Sequence, residues 1–242
     1  MIGGWIGGVL TVGDVRRVDF GYFVRPGAET VTGRPRVEPC LGYVVGLGDW
    51  VLLFDTGLGS GDPEVDAHYR PSRRPLDRAL ADAGLDVERV RWVVNCHLHF
   101  DHCGGNPLLA GRPVFTQRHE LAEARTTSDY TMPELIDHPG ATYEELDGET
   151  EIFPGVWILA TPGHTAGHQS LAVRCADGTV VLAGQTHDSS ADFGSDQLAA
   201  RARRDGLAEP LPVYPAWIDR VLSLDPARVL FAHDQAVWEP AG

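Results

Sequence analysis

The sequence lacks the paired cysteines of a disulfide-stabilised domain or a thiolate zinc site. Only four cysteines occur in 242 residues, and no Cys-x-x-Cys pair is among them. Disulfide frameworks and structural zinc sites need closely patterned cysteines. We therefore expect reduced thiols and a cytoplasmic protein. The cysteines are Cys40, Cys96, Cys103 and Cys175.

Positive charge is also scarce. Twenty Lys and Arg residues face 34 Asp and Glu residues, which gives a formal net charge of −14 at pH 7. A nucleic-acid or anionic-membrane partner is disfavoured because its phosphates would be repelled. The same charge disfavours a strongly anionic substrate, unless a bound metal offsets it locally. We expect a small-molecule partner, and nothing in the sequence indicates an oligomeric state.

Long apolar runs, repeats and low-complexity linkers are absent. The first residues, MIGGWIGGVLTVGD, are mildly apolar, but they lack the basic flank and cleavage site of a signal peptide and are too short to span a bilayer. We interpret them as a strand that pairs with residues 16–23. With no linker to divide it, the chain is predicted to form one domain over residues 1–242.

Short apolar runs that end at turn residues predict strands. They cover residues 42–46, 50–54, 91–95, 113–116, 156–160, 171–173, 180–183 and 228–232. Helical spacing predicts helices over residues 74–83, with Ser72 as the cap, from about Arg118, and over residues 215–224. Residues 126–150 are polar and weakly periodic, and they form either a loop beside an active site or a surface connection. This order of elements predicts two sheets packed face to face with helices outside.

Metal-ligand residues crowd into the segment VVNCHLHFDH, residues 93–102. In an extended segment His97 and His99 point the same way, because side chains alternate with a period of two. Two such imidazoles can bind one ion at about 2.0–2.1 Å. If the chain turns before the glycine pair that follows, Asp101 and His102 can serve a second ion. Four ligand-type residues at this density favour a metal site over a polar loop whose histidines only form hydrogen bonds.

Further histidines follow other predicted strands. His164 comes after the strand 156–160, and His233 comes after the last one. Ligands delivered at several strand ends can converge on one edge of a sheet. We expect His168 to form a hydrogen bond behind the site and His119 to face solvent. The remaining histidines are expected at the surface: His68, His138 and His187.

These motifs resemble a known family. HLHFDH matches the HxHxDH signature of the metallo-β-lactamase superfamily, and NCHLHFDHCGGN, TPGHTAGHQSL and FDTG resemble the N-acyl-homoserine lactonase family in particular. The resemblance runs from about Gly42 to the terminal FAHD. It implies an α/β fold, an αββα sandwich of two mixed sheets flanked by helices, with a metal pair at one sheet edge.

The resemblance also implies roles for individual residues. Six positions carry over as ligands: His97, His99 and His164 for one metal, and Asp101, His102 and His233 for the other. Asp55 in FDTG resembles the family's buried aspartate that supports the ligands, although a turn-forming role before Gly57 is the alternative. We expect one or two divalent ions, zinc first, with iron or manganese as alternatives.

Gln185 departs from the family, which has an aspartate here whose carboxylate bridges the two metals. An amide offers one neutral carbonyl oxygen instead of two oxygens and a charge. We expect Gln185 at the site, as a poor bridge. It could bind one ion, or His187 or Asp188 could replace the carboxylate, or only the three-histidine site could be well occupied. Three imidazoles with one open position suffice to bring the pKa of a bound water near neutrality.

Asp188 is a second departure, because many lactonases of this family have a tyrosine there that contacts the reacting carbonyl. An ionised aspartate cannot donate that hydrogen bond, and it would repel an oxyanion. The sequence therefore does not predict homoserine-lactone hydrolysis as the specific activity. We keep Asp188 as a residue behind the metals or near the substrate.

The leading hypothesis is a metal-dependent hydrolase that cleaves a lactone, ester or related acyl bond. The metal would polarise the carbonyl and supply hydroxide, while Asp101 orients the water or passes its proton to the leaving oxygen. No Gly-x-Ser-x-Gly motif supports a serine hydrolase. The alternatives are a thioesterase, an iron-dependent oxidation, and a metal-poor binding protein or pseudoenzyme, for which Gln185 is the support.

Overall fold

Two mixed sheets form the centre of the protein, and the computed structural model describes residues 8–240. The first sheet has the order β4-β1-β2-β3-β5-β6-β7 and the second the order β12-β11-β10-β9-β8. The first comprises β1 Val15–Arg25, β2 Arg36–Leu47, β3 Trp50–Phe54, β4 Ser72–Arg73, β5 Val90–Val94, β6 Pro113–Gln117 and β7 Thr142–Leu146. The second comprises β8 Thr150–Phe153, β9 Val156–Ala160, β10 Gln169–Cys175, β11 Gly178–Gly184 and β12 Pro226–Phe231.

Side chains that point alternately to the two faces of each strand divide the core into layers. In β3, Leu52 and Phe54 face the second sheet, where they pack with residues such as Ile158. Their neighbours Val51 and Leu53 face outward. Successive side chains of a strand point to opposite faces, so a run of apolar residues serves two layers at once.

Helices cover both outer faces. They are α1 Pro63–Tyr69, α2 Leu76–Asp82, α3 Phe100–Cys103, α4 Arg118–Thr126, α5 Pro133–Ile136, α6 Ser190–Arg204 and α7 Trp217–Leu222. Helix α2 packs on the first sheet through Leu76 and Leu80. Helices α6 and α7 pack on the second through Phe193 and Ile218. The predicted αββα sandwich of two mixed sheets is confirmed. Between residues 8 and 240, no helix has the length and apolar character needed to cross a membrane.

The prediction for the start of the chain is wrong where it can be checked. Residues 8–11 form no strand, and Val12–Asp14 is a short 3-10 turn. Strand β1 instead pairs with β2 and β4. Pairing of β1 with β2 along most of its length, and with β4 on its other side, is more favourable than pairing with the glycine-rich start of the chain. Residues 1–7 of that prediction lie outside the described residues.

Other boundaries also differ from the prediction. The first predicted helix is shorter, Pro75 occupies its cap position, and Ser72 lies in β4. Residues 126–150 contain α5 and β7, and α1 and α6 were not predicted. Helix α6 buries only three of its residues, Phe193, Ala199 and Ala200. Its apolar stripe is therefore too sparse to stand out from a polar sequence. The four cysteines are free and buried.

Candidate metal centre

Five strands end at one edge of the sandwich and deliver polar side chains there. Asp55 follows β3, His97 follows β5, His164 follows β9, Gln185 follows β11 and His233 follows β12. Strands β3 and β5 are parallel neighbours in one sheet, and β11 and β12 are parallel neighbours in the other. Because parallel strands end at the same edge, the packed sheets bring both sets of side chains together.

His97, His99 and His164 form the first cluster, here called the three-histidine group. His99 Nδ1 lies 2.9 Å from His97 Nε2 and 3.2 Å from His164 Nε2. The three nitrogens lie within 4.8 Å of one another. Ligands bound at 2.0–2.1 Å around a tetrahedral ion lie about 3.3 Å apart. The three nitrogens can therefore share one cation.

Asp101, His102, Gln185 and His233 form the second cluster, here called the mixed group. His102 Nε2 lies 3.1 Å from Gln185 Oε1, 3.2 Å from His233 Nε2 and 3.4 Å from Asp101 Oδ2. The Asp101 oxygen lies 3.3 Å from His233 Nε2. All four spacings match the edges of one tetrahedral coordination sphere.

The chemistry of these atoms also fits a cation. The Nδ1 atom of His102 lies 3.0 Å from a carboxylate oxygen of Asp55, and Nδ1 of His233 lies 2.8 Å from the carbonyl oxygen of Pro39. Each Nδ1 therefore carries a proton, and each Nε2 points toward the Asp101 carboxylate. Burial alone would lower the pKa of His102, but Cys96, Asp101 and Asp55 raise it well above its ordinary value. The mixed group therefore favours a positive charge, which either a proton on His102 or a bound cation supplies.

Electrostatics keep the three-histidine group and Asp101 in the protonation states that a metal requires. Burial lowers the pKa of His99 to about 4 and that of His164 to about 2. Burial also lowers the pKa of His97 well below its ordinary value. For Asp101, burial alone would raise the pKa, but His102 and His233 hold it well below the usual range. The three-histidine group is therefore neutral and the aspartate ionised at pH 7.

Asp55 contacts the candidate ligand His102 and is not merely a turn residue. Its carboxylate accepts a hydrogen bond of 2.8 Å from the Cys96 backbone N–H, in addition to its contact with His102. Asp55 is buried and has φ of 62°. A non-glycine residue persists in this left-handed region only where its surroundings hold it, often at functional sites.

Cys96 is a neighbour of both groups that the sequence did not single out as a site residue. Its Sγ atom lies 3.2 Å from Nδ1 of His97 and 3.2 Å from Nδ1 of His102. The thiol is fully buried. One small side chain therefore packs between an imidazole of the three-histidine group and an imidazole of the mixed group.

His168 lies behind the ligands, where it was expected. It is buried, its Nδ1 lies 2.9 Å from Thr161 Oγ1, and its Nε2 accepts a hydrogen bond of 3.1 Å from the Gln185 backbone N–H. The Gln185 amide oxygen in turn lies beside His102 Nε2. The structure thus brings Gln185 to the ligands through both its backbone and its side chain.

Neither His187 nor Asp188 replaces the missing carboxylate. Asp188 forms an ion pair of 3.0 Å with Arg36. His187 lies 3.1 Å from Asp196. The expected surface position of His187 is wrong, because its ring packs against Phe193 on the side of α6, a helix that was not predicted. His119, by contrast, is exposed as expected.

Glu120 joins the loops that carry the three-histidine group, and sequence reasoning missed it. This fully buried carboxylate on α4 accepts hydrogen bonds of 2.7 Å from Leu98 N–H and from the Thr165 hydroxyl. Tyr130 donates a third hydrogen bond to it. Leu98 lies between two of the histidines and Thr165 follows the third. A glutamate in a polar helix gave no signal that it would be buried.

The glycine pair at 104–105 lets two backbone segments pass close to each other, and it is not needed for an unusual backbone angle. Gly104 has φ of −59° and ψ of −29°. A Cβ atom there would lie 2.0 Å from the backbone nitrogen of Gly59. The short helix α3 can therefore press against the loop after β3, and this contact sets where Asp101 and His102 lie.

A cavity of 1040 Å³ opens beside both groups. Its wall includes His99, Asp101, His164 and Gln185, together with apolar side chains such as Phe100. Residues 124–134 form much of the wall, so the first part of the segment 126–150 lies beside the site, whereas its later part forms β7. A small molecule in the cavity would reach ligand atoms of both groups.

The family profile described as the metallo-β-lactamase superfamily matches residues 35–233. The chain belongs to the metallo-β-lactamase superfamily. This match covers all seven predicted ligands and most of both sheets. The family and fold predicted from the sequence are confirmed, and so is the predicted class of enzyme, a metal-dependent hydrolase.

Named relatives within the superfamily are lactonases. The chain is 31% identical over 184 residues to an N-acyl homoserine lactonase of Bacillus cereus, covering 66% of this chain and 72% of that protein. It is 27% identical to the N-acyl homoserine lactonase AiiB of Agrobacterium fabrum, covering 94% and 92%. A solved N-acyl homoserine lactone hydrolase with N-hexanoyl-L-homoserine at its metal centre superposes with a TM-score of 0.73 at 21% identity, over 95% of each chain.

Proposed function

We propose that this metal-dependent hydrolase cleaves the acyl–oxygen bond of a neutral lactone or a related ester. Water adds across that bond, so a lactone yields a hydroxy acid and an ester yields an acid and an alcohol. The observation that carries the proposal is the convergence of two ligand groups beside a cavity of 1040 Å³. The lactonase relatives make a lactone the first substrate to test.

The proposed cofactor is one or two divalent ions, zinc first, with iron or manganese as alternatives. The three-histidine group would hold one ion, and the mixed group would hold the other. Imidazole and carboxylate ligands at this spacing suit zinc. When bound, such ions polarise a carbonyl and make water acidic enough to ionise near neutral pH.

Asp101 is the proposed catalytic residue. It is ionised, it lines the cavity, and its Oδ2 lies within 3.4 Å of His102 Nε2 and His233 Nε2. A carboxylate in this position can orient a water molecule or pass a proton to the leaving oxygen. Asp55 would act behind it by fixing the ring of His102.

Substrate contacts on the side of Asp188 must differ from those of lactonases that have a tyrosine there. The Asp188 carboxylate is paired with Arg36. Arg25 is the cationic side chain that the cavity wall offers near Asp101 and His99. Its Nε donates a hydrogen bond of 2.7 Å to the buried Glu38, which holds the guanidinium in place. We therefore propose acyl lactones and esters in general and not homoserine lactones specifically.

We also propose that the chain works as one hydrolase domain, residues 1–242, in the cytoplasm. The four buried free thiols support a reducing compartment. The acidic charge of the chain supports a small molecule as its partner.

Metal analysis paired with an activity panel tests the proposed function. We expect purified protein to contain metal and to hydrolyse at least one member of a panel of γ-lactones, esters and thioesters. Chelation and His97→Ala should each reduce turnover to background, because an open position on a metal is needed. His119→Ala, which alters an exposed histidine outside both groups, is the matched control. Full turnover in metal-free protein would refute the proposal, as would oxygen consumption without hydrolysis.

A further inference from the structure

We propose that the two ligand groups are unequal, with Gln185 as a ligand of one cation and not a bridge between two. The mixed group then binds a cation tightly in a closed, four-ligand site. The three-histidine group binds a second cation more weakly and exchanges it. This inference rests on the proposed function, because it concerns the same metal centre.

The position of Gln185 limits it to the mixed group. Its Oε1 lies 3.1 Å from His102 Nε2, and its backbone N–H is held by His168. In the part of the chain that the structure describes, no hydrogen bond joins its side chain to the three-histidine group. The nitrogen of a neutral amide offers no lone pair to a metal, so the side chain presents one ligand atom. A carboxylate has two oxygens and could bind both cations, whereas this amide offers one oxygen, which lies beside His102.

The backbone before Gln185 has little freedom to shift it toward the other group. Gly184 has φ of 60°, and a Cβ there would lie 2.5 Å from Cβ of Cys96. Its carbonyl oxygen accepts a hydrogen bond of 2.9 Å from the Ala232 N–H, next to His233. Gln185 is thus fixed to the same backbone that delivers another ligand of the mixed group.

Charge and ligand number also separate the two groups. The mixed group supplies four ligand atoms, one of them a carboxylate oxygen, and the Asp55 carboxylate lies beside its His102. The three-histidine group supplies three neutral nitrogens. A closed set of four ligands is typical of tightly held ions, whereas three ligands leave an open position.

Hydrogen bonds orient the ligands of the mixed group better than they orient those of the three-histidine group. Both of its imidazoles have a bonded Nδ1, on Asp55 and on the Pro39 carbonyl. In the three-histidine group, His97 has Cys96 as a neighbour, but among the described residues neither His99 Nε2 nor His164 Nδ1 has a hydrogen-bond partner. His164 is exposed. Such partners fix the ring orientation and raise the affinity for metal.

Repulsion between the ions adds to this difference. Two divalent ions repel each other four times as strongly as two single charges at the same distance. A bridging carboxylate offsets part of that repulsion, but Gln185 brings no charge. The second cation therefore enters the three-histidine group against the field of the first. Because that group keeps the open position, activity should follow the second equivalent of metal.

The test is a zinc titration of chelator-treated full-length protein, followed by equilibrium dialysis and elemental analysis, with cobalt absorption as a second readout. We expect two resolved binding steps. Gln185→Ala should weaken the tighter step by about 10- to 100-fold and spare the other. His164→Ala should remove the weaker step alone. Gln185→Asp should strengthen the weaker step and bring the two together.

Circular dichroism of each metal-free variant controls for folding, and Gln185→Asp retains a polar ligand if the alanine variant does not fold. One wild-type step that takes up two equivalents would overturn the inference. Loss of the tighter step in His164→Ala, or no change in Gln185→Asp, would also overturn it. Binding is measured without substrate, so two unequal steps in a protein that hydrolyses nothing would refute only the proposed function.

Discussion

At the scale of single residues, His168 makes the stability of the fold depend on pH. Burial above all, together with the nearby His102, lowers the pKa of His168 to about 3. In the unfolded chain the imidazole has its ordinary pKa of 6.5. At pH values between about 3 and 6.5, the imidazole is protonated in the unfolded state and neutral in the folded state. The free energy of unfolding therefore falls as the pH falls.

We therefore expect His168→Gln to reduce the acid sensitivity of metal-free protein. The amide can still accept from the Gln185 N–H, but it does not titrate. Between pH 7 and pH 5 the wild type should lose about 2 kcal/mol more of its free energy of unfolding than the variant loses. Urea unfolding of both proteins at the two pH values measures this difference. Equal losses would contradict the pKa assigned to His168.

Single residues were predictable where ligand types crowd together. His97, His99, Asp101 and His102 occupy one short segment after a strand, so local geometry alone suggested a metal site. Glu120 gave no such signal. Its burial depends on donors from residues far along the chain, and a polar helix does not reveal which of its carboxylates turns inward.

At the scale of elements, α4 holds the three-histidine group together through Glu120. Its carboxylate binds donors on both histidine-bearing loops. A glutamine in its place would keep the shape but offer one acceptor oxygen and would turn an NH₂ toward a donor.

We expect Glu120→Gln to weaken the second metal-binding step by about 10- to 100-fold, to lower kcat, and to leave the first step unchanged. Metal titration and steady-state kinetics measure these effects. Glu88→Gln is the matched control, because the Glu88 side chain is 81% exposed. Wild-type binding in the Glu120 variant would show that α4 does not position the group.

Strands and helices were predictable where both of their faces are buried, or where their apolar residues recur at a regular spacing. Strands β3 and β9 are short apolar runs, and the structure has them at the predicted residues. Helix α6 and strand β7 were missed because they bury few of their residues. Such elements gain their stability from the surface they pack against, and that surface is not visible in their own sequence.

At the scale of the whole molecule, the candidate metal ligands come from both sheets. Loops after β3 and β5 carry Asp55 and His97, and loops of the second sheet carry His164, Gln185 and His233. Within residues 8–240, direct hydrogen bonds between the layers at this edge include the one from Leu41 N–H to Ala232 O, at 2.9 Å. Bound cations would therefore act as cross-links between the layers.

Metal removal should accordingly destabilise the whole chain. A cation at 100 times its Kd adds about 2.7 kcal/mol to the free energy of unfolding, which corresponds to a rise in Tm of roughly 5–10 °C for a chain of this size. Thermal melts with zinc and with chelator measure the effect. His119→Ala should respond as the wild type does, and His97→Ala less. Identical melts with and without zinc would argue against a shared metal site.

The layer architecture was predictable because its order of strands and helices allows few alternatives. The cavity was not. Its wall depends on how residues 124–134 fold over α3, and those residues are polar and have no strong period.

The buried thiols give this protein built-in reporters of local opening. Cys96 lies at the ligands, Cys40 donates to the Asp101 carbonyl at 3.0 Å, and Cys175 ends β10. Because a buried thiol reacts with an alkylating reagent only when its region opens, the labelling rate at each cysteine reads a separate opening event. Mass spectrometry of timed labelling would thus reveal which part of the sandwich loosens first as metal is withdrawn.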